Sequence, residues 1–170
     1  MRIRNIVLLS CIVAGLTTAG YAGVRFWPDI QSLSRIVGFH PTATGPVTTL
    51  AVVGDNHGAT EIYRQILSDA AAEHPAAMIN LADTSEHGTS EEFAAVKSME
   101  AVASFPVIHV IGSHDIKTDP SRQLFIDAFG HQPCSSVDVG HVRIFLLDNA
   151  DRKTGFSDSC LQWFDQALDQ

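Results

Sequence analysis

Apolar and polar positions along this chain alternate between two kinds of run. Leu50–Val53, Met78–Leu81 and Val107–Val110 are mainly apolar segments of strand length, the pattern of strands covered on both faces. Between the first two, Ile62, Ile66, Leu67 and Ala70 recur at helical spacing from Thr60 until Pro75 closes the segment. Between the second and third, Phe93, Val96, Met99 and Ala103 mark the inner face of a helix over Glu91–Ala103, with Thr89 or Ser90 as its N-cap. The pattern predicts a β-α-β-α-β core of parallel strands. A short helix over Ser121–Phe129 follows, stopped by Gly130. Ser135–Val139 and Val142–Leu147 then alternate as antiparallel strands turning at Gly140-His141. Leu161, Phe164 and Leu168 predict an amphipathic helix over Ser159–Asp169.

The N-terminus departs from this pattern. Arg2 and Arg4 precede an uncharged run from Ile6 to Val24 with no polar face, which predicts an apolar helix serving as a signal peptide or a membrane anchor. Gly20-Tyr21-Ala22 offers a cleavage site, and the same run is long enough to span a bilayer. Residues 25–47 carry Pro28, Pro41 and Pro46 and read as a tether, with His40 an ordinary linker residue. The organisation is thus a signal or anchor over 1–24, a linker over 25–47 and a domain over 48–170. Such a chain is exported to the periplasm or extracellular space, or is held by a membrane facing outward.

Charge narrows the partners. The formal net charge is −8, and without Arg2 and Arg4 only 9 basic residues stand against 19 acidic ones. A polyanion such as nucleic acid would be repelled rather than gathered.

Candidate chemistry sits where the three strands end. The first strand breaks at Gly54 and delivers Asp55 and His57, whose i and i+2 spacing turns both to one side. The second delivers Asp83, and the third delivers Ser113, His114 and Asp115 after Gly112. Ligands of open α/β sheets bind outside the carboxyl ends of the strands, so these loops should meet in one crevice. His109 lies inside the third strand and reads as a core histidine. His74, His131 and His141 read as turn or helix-end residues, and Asp148-Asn149 as the start of a turn.

The ordered set Gly54-Asp55-Asn56-His57, Ala82-Asp83 and Gly112-Ser113-His114-Asp115 resembles the first three blocks of the calcineurin-like metallophosphoesterases, which run GDxH, GDxxxxG and GNH(D/E). The resemblance covers residues 48–170 and implies an α/β/β/α sandwich that hydrolyses phosphomonoesters or phosphodiesters. It implies two divalent ions, Mn, Fe or Zn by the mixed carboxylate and imidazole donors, which clamp the phosphoryl group and activate a water between them. Asp55 and His57 would bind the first ion, Asp83 would bridge, and position 113 would bind the second. His114 would face the phosphate, with Asp115 orienting its ring. Two residues depart from the family: Ala82 replaces a glycine, and Ser113 replaces the ligating asparagine.

The family's later blocks, a lone histidine and GHxH, are absent from residues 1–170. The sequence therefore reads as an incomplete sandwich and an inactive copy, with His87 or His141 as conceivable replacements for the missing ligands. A degenerate, non-catalytic binding protein of the same fold is the alternative, and a plain α/β domain is a third reading. Cys134 and Cys160 are the thiols left to an exported domain and are candidates to pair, provided their Cα atoms lie within about 7 Å.

Overall fold

The structure, a computed structural model, describes residues 47–169. Three strands, β1 (Leu50–Val53), β2 (Ala77–Leu81) and β3 (Val107–Val110), pair in parallel in that order. Val52 lies beside Ile79, and Ile79 beside Ile108. Helix α1 (Glu61–Ala72) connects β1 to β2, and α2 (Ser90–Glu100) connects β2 to β3. The chain is a mixed α/β protein with the expected β-α-β-α-β core.

Each helix begins where its sequence supplies a cap. The Thr60 side chain accepts a hydrogen bond from Tyr63 N at 3.1 Å. Thr89 and Glu92 form a reciprocal capping box, so Thr89 rather than Ser90 is the N-cap of α2. The inner face of α1 differs from the expected one. Tyr63 and Leu67 are buried with Ile66 and Ala70 against them, while Ile62 is left exposed. The buried Tyr63 hydroxyl bonds the Glu100 carboxylate, a partner that spacing of apolar residues does not reveal. Helix α2 also ends before Ala103, in a turn after Glu100.

Alternation along the strands divides the core. Met78 and Val107 turn to one face, where they pack with Tyr63, Leu67, Val96 and Met99 from the two helices. Ala77, Ile79 and Ile108 turn to the other, where they meet Val139 and Leu146. Those two belong to a hairpin of β4 (Ser135–Val139) and β5 (Val142–Leu146), closed by the exposed Gly140-His141 turn. Helix α3 (Gln123–Phe129) docks on α2 through Phe93, Phe125 and Phe129, whose rings meet in tilted and edge-on pairs.

Helix α4 (Asp158–Leu168) covers the outer side of the hairpin, where Phe145 meets Trp163 and Phe164 at centroid distances of 6.2 and 5.1 Å. Its buried residue is Cys160, bonded to Cys134 with Cα atoms 5.6 Å apart. This bridge turns Cys160 inward and leaves Leu161 and Leu168 partly exposed, contrary to the face expected from their spacing. No helix among the described residues is long and apolar enough to cross a membrane. The expected N-terminal helix and linker lie outside the described residues.

The bridge closes a loop with a sequence separation of 26 residues. Chain-entropy reasoning for a loop of that size gives a stabilisation of about 3 kcal/mol. Reduction, or Cys160→Ala, is expected to lower the unfolding free energy by about that amount in urea titrations compared with the oxidised protein.

Candidate metal centre at the strand exits

The loops leaving β1 and β2 continue to pair after the strands have ended. Asp55 N donates to Ala82 O at 3.2 Å, His57 N to Asp83 O at 3.1 Å, and Gly58 N to Thr84 O at 2.8 Å. Between them Asn56 turns inward. Its amide nitrogen donates to Gly58 O and Thr84 O, and its Oδ1 accepts from Asn80 Nδ2 at 2.8 Å. Asn56 thereby fixes the backbone between Asp55 and His57, the two expected ligands.

This pairing holds the backbone in an uncommon region. Asp55, His57, Ala82 and Asp83 have φ of 54°, 47°, 75° and 50°, left-handed values costing a residue with a Cβ about 1–2 kcal/mol. Strain of this kind persists where surrounding contacts over-determine it, and it gathers at functional sites.

The third loop closes onto the second. A Cβ at Gly112 would stand 2.3 Å from Asp83 Oδ1 and 2.4 Å from Asp83 N, so only glycine fits there. His114 N donates to Asp83 Oδ1 at 2.9 Å. Asp115 is 1% exposed, and both carboxylate oxygens are used: one accepts from Ser85 N and Ser85 Oγ, the other from Thr84 N and Gly112 N. Burial, the largest influence, carries the Asp115 carboxyl above its ordinary pKa against the pull of these donors. Asp115 therefore fastens two loops together. It does not orient the His114 ring, the role expected for it, because its oxygens are spent on Thr84, Ser85 and Gly112.

Asp55, His57 and Asp83 come together as expected, with one potential ligand atom from each within 4.8 Å of the others. His57 Nε2 stands 3.8 Å from Asp55 Oδ1. A second cluster of the same closeness joins His57 to Glu86 and His114. His57 Nδ1 lies 2.9 Å from Glu86 Oε2, yet this buried nitrogen has no partner of hydrogen-bonding geometry. The His57 and His114 rings meet edge-on at 4.5 Å. An orphaned imidazole nitrogen among carboxylates and a second imidazole is a donor set that fits a divalent cation.

Three nearby residues escape a reading of sequence alone. Glu86 follows Asp83 by three positions in the same loop, the one cue that could have marked it. Lys117 follows His114 by three, and its Nζ lies 2.8 Å from His114 Nδ1 and donates to Glu86 O at 2.9 Å. Arg152 comes from the loop after β5, and its Nε donates to Ser113 Oγ at 3.2 Å, so the hydroxyl expected to bind a second ion faces a guanidinium instead. Desolvation is the largest influence on Glu86 and works upward, but Lys117, His114 and His57 together hold its carboxyl below the ordinary range.

The remaining histidines lie elsewhere. His109 is 2% exposed and spans Thr84 Oγ1 and Glu100 Oε2 at 3.1 Å each, stacked on Phe129. His87 contacts Glu92 at the start of α2, and His141 lies in the hairpin turn. Asp148 holds Arg122 at 2.9 Å and turns the chain by accepting from Ala150 N. No protein-family model and no curated protein matches this chain.

Two substitutions test this geometry. Asp115→Asn leaves two buried N–H or O–H donors facing an amide NH2, and is expected to cost about 3 kcal/mol of unfolding free energy by urea titration. Ala82→Gly relieves a strained φ, offset in part by the freer unfolded chain, and is expected to gain about 0.5–1 kcal/mol in the same assay.

Proposed function

We propose that residues 48–170 form a metal-dependent phosphoesterase domain of the calcineurin-like type. The convergence of Asp55, His57 and Asp83 at the carboxyl ends of two parallel strands carries this reading. It is supported by the packing of helices α1 and α2 on one face of the parallel sheet and of the hairpin, itself covered by α4, on the other, an order of layers compatible with an α/β/β/α sandwich. The loop motifs that resemble GDxH, GDxxxxG and GNH(D/E) are the same loops that meet here. Mn, Fe or Zn suits these donors better than Ca.

A divalent ion bound there would supply positive charge to a phosphoryl oxygen and acidify a bound water. The protein's own part is to fix the donors before any ion arrives. Asn56 and the strained backbone hold Asp55 and His57, while the His114 amide and the close approach of Gly112 hold Asp83. His114, partly buried beside His57, would face a phosphoester bound at these loops, with the Lys117 ammonium 2.8 Å from its Nδ1. Export or membrane tethering by the N-terminal segment belongs to the same reading.

The engagement of Ser113 by Arg152 favours a second reading, a non-catalytic binder of the same fold that holds phosphorylated ligands. Titration with Mn separates the two when paired with hydrolysis of bis-p-nitrophenyl phosphate. The enzyme reading expects Mn binding and chelator-sensitive turnover, both falling at least ~10-fold in Asp83→Asn. Mn binding without turnover supports the binder, and absence of Mn binding would overturn the metal centre itself.

A further inference from the structure

Three polar atoms converge on the Lys117 ammonium. His114 Nδ1 lies 2.8 Å from Nζ, the Glu86 carbonyl oxygen 2.9 Å, and Glu86 Oε1 3.4 Å. An ammonium has three hydrogens and no lone pair, so it donates in every contact. His114 Nδ1 also lies 3.1 Å from the Glu86 carbonyl oxygen, so the imidazole nitrogen and both Glu86 oxygens crowd the one position that Nζ fills. A carboxylate oxygen, a carbonyl oxygen and an imidazole nitrogen aimed at one point are also the donors of a divalent cation. Ser113, close in sequence to His114, meets a positive side chain as well, the Arg152 guanidinium. Side-chain cations thus stand at both residues of this loop where the resemblance would lead one to expect a second ion or the phosphate it binds.

We propose that Lys117 is a built-in cation that occupies a second cation position formed by Glu86 and His114, so that the site takes one divalent ion rather than two. The proposal deepens the phosphoesterase reading and rests on it only for the first ion. The ammonium offsets the Glu86 charge beside His57, which Glu86 Oε2 approaches to 2.9 Å. Its Nζ, 2.8 Å from His114 Nδ1, also stands where an ion held by that nitrogen would sit, so the position is closed to a metal while Lys117 stays in place. A fixed side chain cannot be removed by a chelator, which makes charge at this position independent of metal supply.

The test counts bound Mn on the full chain by equilibrium dialysis and metal analysis, with the Mn electron paramagnetic resonance signal as a second readout. Lys117 is partly exposed, so its replacement leaves the core untouched. Lys117→Met is expected to bind one more Mn than the wild type, with the resonance broadened by a neighbouring ion. Lys117→Arg should keep the wild-type count, and Glu86→Gln added to Lys117→Met should restore it. A wild type that already binds two Mn would overturn the proposal, as would a Lys117→Met count equal to the wild type. Should the wild type bind none and Lys117→Met bind one, the proposal stands while the reading of Asp55, His57 and Asp83 as the first site fails.

Discussion

The buried carboxylate of Asp115 is the constraint on which the strand-exit region depends. A carboxylate this deep is tolerated only because four donors from two segments surround it. Those donors lie at residues 84, 85 and 112, so one side chain sets the separation between the loops that leave β2 and β3. Asp83 stands just before the first pair of them and His114 just beside Asp115. The positions of the exposed groups therefore follow from the satisfaction of a hidden one.

A second layer of polar contacts carries this fixing into the core. Thr84 donates its amide to Asp115, and its hydroxyl meets His109, which in turn meets Glu100, the partner of Tyr63. This chain runs from the β2 exit to the last residue of α2 and the first turn of α1. Thr84, His109 and Tyr63 are buried and Glu100 is nearly so, and each has a partner, as buried polar groups must if they are not to cost stability. The burial of Tyr63 and its bond to Glu100 push its hydroxyl pKa well above the ordinary value, which keeps it neutral.

Much of the architecture was legible because local signals agreed. The hairpin ends, the Thr60 and Thr89 caps and the glycine after α3 are written in residue types with one preferred backbone role. The inner faces of α1 and α4 were legible in part: Ile66, Leu67, Ala70 and Phe164 pack inward, but Tyr63 and Cys160 are drawn in by a carboxylate and a disulfide partner that lie far away in sequence. At the site, Asp55, His57 and Asp83 were legible as i and i+2 or strand-end residues. Glu86, Lys117 and Arg152 were not, since a charged residue in a loop declares nothing until its partner is known. Asp115 was visible as a residue and misread as to partner, because burial in a loop leaves no periodicity.

The Cys134–Cys160 bridge has a consequence for motion. It joins the residue just before β4 to the first turn of α4, so the start of the outermost helix cannot lift away from the hairpin while the bond lasts. Opening on that side must then begin by separating the hairpin from the parallel sheet, through Val139, Leu146, Ile79 and Ile108 together. Amide hydrogens of β4 and β5 would exchange with solvent mainly through that larger event, while those of the loop around Gly155 exchange by local fluctuation. While it is intact, the bridge thus determines which parts of the molecule breathe independently and which only in concert.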